Sequence, residues 1–384
     1  MKHAYLISCS DHYRHRMGDW DRALQAFGIP ATYLTSDFSH TAKETYSCTV
    51  PGCVQLHVRP YRKNLSADRI LSHREFAIQV RRWLEALPDE PTVLVCLLPP
   101  NFLARELKRY KRRHPQVRLI FDLFDLWPET FPSSRMKRLL SLPFRIWADL
   151  RDRNLDAADF VTAECSLYRE ILSLDGSRSG TIYFSLPPYE GPEFPAVLPK
   201  DRAELAYLGA INNLIDIPRI AAFLRALSAR MPVRLHIIGE GETRAAFCEA
   251  ARAAGAEVAF HGEIFGEAEK HRILSGCHFG LNVMKDSVCV GLTMKSVDYL
   301  RHGLPIISTI GGDTAALLAS RSIGLSLRDP ERTAAAAADL ISAGTGDFSR
   351  AAHETYEALF SSHTAEASCI SVLRRVLASA GEAL

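Results

Sequence analysis

The chain has 384 residues, too many for one compact core, so two domains are expected. Its 47% hydrophobic and 23% charged residues suit a globular protein, and a formal net charge of only +2 argues against a wholesale nucleic-acid binder. The nine cysteines show no C-x-x-C spacing, which argues against a disulfide framework or a zinc site and fits a reducing cytosol. The apolar run near Met1 is too short for a signal peptide, and no stretch of roughly 18 apolar residues could span a bilayer, so a cytoplasmic protein is expected.

In the first half, "HAYLIS", "ATYLT", "TVLVCLL", "RLIFDLF" and "DFVTAE" read as strands separated by amphipathic segments. The loop after the first strand, Ser10 to Trp20, brings Arg14, His15 and Arg16, basic groups suited to phosphate or acceptor contacts. His12 and His15 have a metal-like spacing, but no cysteine or carboxylate set accompanies them, and a metal is not expected there. The D-x-D at Asp19 and Asp21 precedes a helix rather than following a strand of a nucleotide domain, so it reads as a cap and not as a metal grip. In "YRKNLSADRILSH", Ser66 looks like an N-cap and His73 falls about two turns into the helix, as a structural or surface histidine. The run Arg105 to Arg118 is strongly basic: a solvated helix face, or a patch for anionic lipid. In "FDLFDLWPETF", Asp125 and Glu129 follow a strand, either facing a cleft or capping a Pro-started turn. Ser133 to Arg153 mixes large apolar residues with Arg and Lys, and would either lie on a bilayer or cover another helix.

Phe184 to Asp201 carries five prolines in eighteen residues and reads as a linker. Beyond it "ELAYLGA", "VRLHIIG", "EVAFHG", "FGLNVM" and "LPIIS" are the next strands, alternating with helical segments such as "IPRIAAFLRALSARM". Strand–helix alternation in both halves predicts an α/β protein with two Rossmann-like domains facing a central cleft. Gly209, Asn212 and Asn213 follow a strand and precede a helix, a turn that either caps the helix or receives a phosphate. Gly239, Glu240 and Gly241 repeat that arrangement after the next strand. In "TMKSVDYLRHGLP", Thr293 would cap a helix, Lys295 lies in its first turn and Asp298 one turn on, with Gly303 and Pro305 ending it. A cation there opposes the helix dipole, which an anion such as a diphosphate would reconcile. The alternative is a solvent-facing Lys–Asp ion pair.

These second-half motifs resemble the donor domain of the large retaining glycosyltransferase family with the GT-B fold. In that family a carboxylate five residues before the Gly of a G-x-P turn binds the nucleotide ribose; Asp298 and Gly303 have this spacing, and some members carry a Lys where Lys295 stands. The family's usual Glu eight residues earlier is replaced by Val290. With "YLGAINNLIDI", "YRKNLSADRILSH" and "FDLFDLWPETFP", the chain is similar to a bacterial exopolysaccharide and capsule subgroup. The resemblance implies residues 1–190 as acceptor domain, 191–355 as donor domain, and 356–384 as a helix packing back toward the first. It implies sugar transfer from a nucleotide-diphosphate sugar to a polyprenyl-diphosphate-linked glycan, peripheral at the inner membrane face. It needs no metal and no cofactor beyond the donor substrate. Gly209, Asn212, Asn213, Gly239, Glu240, Gly241, Thr293, Lys295 and Asp298 would hold the donor; Asp125, Glu129 and His73 would serve catalysis at the acceptor. A nucleotide-sugar epimerase of the same fold and a non-catalytic sugar-binding protein are the alternatives.

Overall fold

The structure is a computed structural model that describes residues 2–10, 14–64, 66–130, 141–192 and 198–378. Two compact units emerge: Met1–Ser185 together with Ser362–Leu384, and Leu186–Ser361.

The first unit holds strands β1 (Ala4–Ser8), β2 (Ala31–Ser36), β3 (Val54–Leu56), β4 (Val93–Leu98), β5 (Arg118–Leu123), β6 (Phe160–Ala163) and β7 (Ser179–Thr181). Their order is β3-β2-β1-β4-β5-β6-β7, and every pairing is parallel. β4 is buried at every position, as a central parallel strand covered on both faces must be. On one face Trp20, Ala23 and Leu24 of the helix Arg14–Gln25 share a core with Cys369, Leu373 and Val376 of the final helix Ser362–Ala378. Each large aliphatic side chain buried in this way stabilises by about 1.5–3 kcal/mol.

A buried polar cluster ties this sheet to its first helix. Arg16 Nε donates to Asp122 Oδ2 at 2.6 Å and Nη2 to Oδ1 at 3.0 Å, while Trp20 Nε1 and the Thr162 hydroxyl donate to the same carboxylate at 2.7 and 2.8 Å. The remaining Arg16 donors reach the carbonyls of Ile182 and Tyr183. Arg16 is 2% exposed, so the sequence-based expectation of an Arg16 phosphate contact is corrected: its guanidinium is spent on Asp122 and the backbone. Arg14 and His15, on the same helix, are exposed.

The second unit holds β8 (Ala203–Leu208), β9 (Val233–Ile238), β10 (Glu257–Gly262), β11 (Phe279–Asn282), β12 (Ile306–Ser308) and β13 (Gly324–Ser326), all parallel in the order β10-β9-β8-β11-β12-β13. Helices start where caps predict. Asp216 accepts from Arg219 N, Thr293 from Ser296 N and Asp329 from Arg332 N. Gly303, at φ +64°, takes the left-handed conformation that closes the helix Met294–Arg301.

In each sheet the strand order reverses beside the first strand, between β1 and β4 and between β8 and β11. Ligands of doubly wound sheets bind at such reversals, beyond the carboxyl ends of the strands.

The basic run of the helix Asn101–Arg113 is largely met by the chain's own carboxylates. Arg105 and Arg109 pair with Glu106, Lys108 with Asp156, Lys111 with Asp159, and Arg113 with Glu85. This is the pattern of a solvated, salt-bridged face.

Candidate functional site

In the second unit the reversal point is marked by a lysine without a counter-ion. Lys295 sits in the first turn of the helix Met294–Arg301, half-buried, and its Nζ donates to the Tyr207 hydroxyl at 3.0 Å while lying 4.3 Å from that ring's centre. Tyr207 is in β8, and a methyl group on Gly209 would come within 3.8 Å of Lys295 Nζ, so the ammonium hangs over the loop that leaves β8. Burial depresses its pKa to about 8. Among the described residues it makes no ion pair with a carboxylate.

Asp298 is not that partner. Its Oδ2 accepts from Lys270 Nζ at 2.9 Å and its Oδ1 from Arg301 Nη2 at 2.8 Å, with His302 Nε2 at 3.4 Å. Burial raises its pKa, but the His302 hydrogen bond and the Lys270 and Arg301 charges outweigh that and hold the carboxyl well below its usual range. The solvent-facing Lys295–Asp298 pair, one of the two readings of the motif, is therefore corrected: one helix carries two separate polar systems. Glu267, Asp298 and His302 offer ligand atoms within 4.8 Å of one another, yet Lys270 and Arg301 already neutralise both carboxylates.

The glycines of the next loop serve the backbone. Gly239 and Gly241 have φ of +138° and +154°, and a Cβ on them would lie 2.1 Å from the Gly209 carbonyl and 2.3 Å from that of Ile211. They let two strand-end loops touch, which shapes the turn around Gly209. Gly239→Ala should destabilise the domain by about 1–3 kcal/mol through this clash and its left-handed backbone, read as a lowered urea midpoint at unchanged m. Nearby side chains also have local partners: Asn212 Oδ1 accepts from Leu214 N, Asn213 donates to Glu242, and Glu240 pairs with Arg244. Thr293 caps its helix and accepts from Asn282 Nδ2 at 2.7 Å, fixing the first turn that carries Lys295 to the end of β11.

In the first unit a cavity of about 320 Å³ opens at the other reversal point, between Cys9–Ser10 after β1 and Pro99–Pro100 after β4. Asp125 and His73 both line it, along with Tyr61, Arg69 and Trp127. Asp125 accepts from the Thr130 hydroxyl at 2.7 Å, and burial raises its pKa. His73 is 6% exposed and its Nδ1 has no partner; burial and the nearby Arg69 and His40 keep the ring neutral. Glu129 is elsewhere. Its two oxygens take Arg151 Nη2 and Nη1 at 2.7 and 3.0 Å, and Arg151 is fully buried, so the expectation of a catalytic Glu129 is corrected: its carboxylate is the counter-ion of a buried arginine. Sequence reasoning passed over Glu164, just after β6. Burial and the neighbouring Asp125 charge push its carboxyl up to about 8, leaving it protonated at neutral pH beside an ionisable partner.

Residues 203–343 match the family described as "Glycosyl transferases group 1". No curated protein matches the chain in sequence. Among solved structures it is similar to Anabaena Alr3699/HepE in complex with UDP, at TM-score 0.65 and 12% identity, over 97% of this chain and 100% of that one. It is also similar to the lipopolysaccharide outer core galactosyltransferase WaaB in apo form, at TM-score 0.63 and 13% identity, over 99% of each chain. A TarM mutant from S. aureus, in complex with Fondaparinux, alpha-GlcNAc-glycerol and UDP, aligns at TM-score 0.62 and 9% identity over the full length of both chains. With the two parallel sheets, these likenesses show the GT-B α/β fold.

Proposed function

We propose that the chain transfers a sugar from a nucleotide-diphosphate sugar to a glycan acceptor. The observation that carries this reading is Lys295: a desolvated ammonium with no carboxylate, held at the sheet reversal beside a helix N-terminus, is built for an anion the chain does not supply. The match of residues 203–343 and the likeness to a UDP-bound solved structure support reading that anion as a nucleoside diphosphate. The Lys295 charge and the amides around Gly209 would stabilise the departing diphosphate, so no metal is required for that step. Asp298 would hold the ribose through the lone pairs that Lys270, Arg301 and His302 leave open. The acceptor would lie in the cavity of the first unit beside Asp125.

The finer reading is retention of configuration, with a polyprenyl-diphosphate-linked acceptor of an exopolysaccharide or capsule pathway. The helix Ser141–Asp152 supports membrane contact: Leu142 and Ile146 are 66% and 56% exposed, with Arg145 between them. Flotation with anionic liposomes at low salt tests this, and a chain left at the bottom of the gradient contradicts it.

Thermal-shift screening against nucleoside diphosphates tests the donor: one base should raise Tm, and silence across the panel contradicts the reading. Binding should also depend on pH. The protonated amine is the form that meets a diphosphate, so raising pH through the depressed Lys295 pKa of about 8 removes it. Nucleoside-diphosphate affinity should fall about tenfold between pH 7 and 9, with proton uptake on binding near pH 8. Calorimetry in buffers of different ionisation enthalpy reads both.

A further inference from the structure

The cavity of the first unit contains a second buried cation, Arg69, that no carboxylate among the described residues meets in a salt bridge. Arg69 lies in the first turn of the helix Ala67–Glu85, at its positive end, where a cation is disfavoured. It is 8% exposed. Its Nη1 donates to the Asn64 carbonyl at 2.9 Å and the guanidinium stands 4.9 Å over the Trp127 ring, but its Nε is buried without a partner. Among the described residues it makes no salt bridge; Asp125, the carboxylate of the same cavity, feels the Arg69 charge but accepts its hydrogen bonds from Thr130, Trp127 and the Leu126 backbone. A buried guanidinium left in this state is costly unless something else neutralises it. A second cation adds to the field: Lys43 donates to Asn64 Oδ1 and lies 4.9 Å over the Tyr61 ring, again without a carboxylate. Tyr61 and Trp127 supply flat apolar walls, and His73 offers a neutral imidazole with an unpartnered nitrogen.

We propose that this cavity recognises an anionic group, a carboxylate or a phosphate, on the acceptor sugar, with Arg69 as the buried fork that grips it, Lys43 as a second charge and Trp127 and Tyr61 as stacking faces. Asp125 can offset at most one of the two cations, so a neutral sugar would leave an excess positive charge in the cavity, whereas a planar carboxylate or a phosphate matches the paired N–H geometry of a guanidinium. The anion holds the acceptor while Asp125 stays available to one of its hydroxyl groups. Arg69 is thus a specificity residue for the acceptor. This inference rests on the glycosyl-transfer reading for the word acceptor, but the anion site itself does not.

The test uses the full chain and three probes: methyl glucuronoside for a carboxylate, glucose 1-phosphate for a phosphate, and methyl glucoside as the neutral control. Tryptophan fluorescence, reporting Trp127 against the cavity, reads binding, and calorimetry reads nucleoside-diphosphate affinity in parallel. At least one acidic probe should bind about tenfold or more tightly than the neutral one, weaken with salt, and lose about tenfold or more in affinity in Arg69→Gln, with a smaller loss in Lys43→Met. Nucleoside-diphosphate affinity should be unchanged in both variants. The better acidic probe decides between carboxylate and phosphate. Equal binding of the neutral probe, no binding of either acidic probe, or acidic binding indifferent to both variants overturns the proposal. If Arg69→Gln does not fold, Lys43→Met and the salt dependence of the parent protein carry the same decision. Acidic probes that bind where no nucleoside diphosphate does would leave the anion site standing and remove the donor reading.

Discussion

Replacing Lys295 by Met should lower kcat by about 100- to 1000-fold, the loss typical of removing one charge stabiliser of a leaving group. The side chain keeps its length and its packing against Tyr207, so the change isolates the charge. Folding stability should hold or rise slightly, because a desolvated ammonium with no carboxylate leaves the structure. The pairing of lost turnover with unchanged or higher Tm separates a ligand-binding charge from a structural one. Steady-state kinetics and a melting curve on the same preparation suffice. A Lys295→Met protein with full turnover would remove the amine from the mechanism.

Asp122→Ala should cost about 3–5 kcal/mol, because it leaves the Arg16 guanidinium buried and uncompensated and strips partners from Trp20 and Thr162. Changing Arg16 and Asp122 together to apolar residues should cost much less than the two single changes summed, since no orphan charge remains. The pH dependence has a defined sign. Burial raises the Asp122 pKa, but the Arg16 charge and the hydrogen bonds from Arg16, Trp20 and Thr162 bring it below the ordinary carboxylate value. The cluster is therefore fully stabilising above the unfolded carboxylate pKa, and its contribution fades as pH falls through the lower folded one. Denaturant titrations of the single and double variants at neutral and acid pH measure both effects; an additive double variant would mean that the two residues are not coupled.

Strands were the most legible feature. Runs such as "TVLVCLL" and "VRLHIIG" have nowhere to go but a buried parallel sheet, and they became β4 and β9. β3, β7 and β13, with three residues each, are too short to show periodicity and owe their existence to a neighbour's free edge. At the candidate site, spacing placed Thr293, Lys295, Asp298 and Gly303 on one helix and its cap, which follows from 3.6 residues per turn. Spacing could not tell which partner each charge would find. Lys295 reached across to Tyr207 in β8, and Asp298 to Lys270, 28 residues away. Arg16 and Glu129 look in sequence like free polar groups beside a loop; only the long-range pairs with Asp122 and Arg151 reveal them as internal counter-ions. The converse holds for Arg69, an ordinary basic residue in a helical segment until its burial and the unpartnered Nε are seen together.

The claim of glycosyl transfer is tested most directly by nucleoside-diphosphate release from the donor selected by thermal shift, measured with and without a lipid-linked glycan extract. Release that rises with acceptor, falls about 100-fold or more in Lys295→Met, and accompanies a glycan heavier by one sugar is the predicted result. A donor converted or hydrolysed at the same rate without acceptor, as an epimerase would do, or no turnover of the donor that binds, would contradict it.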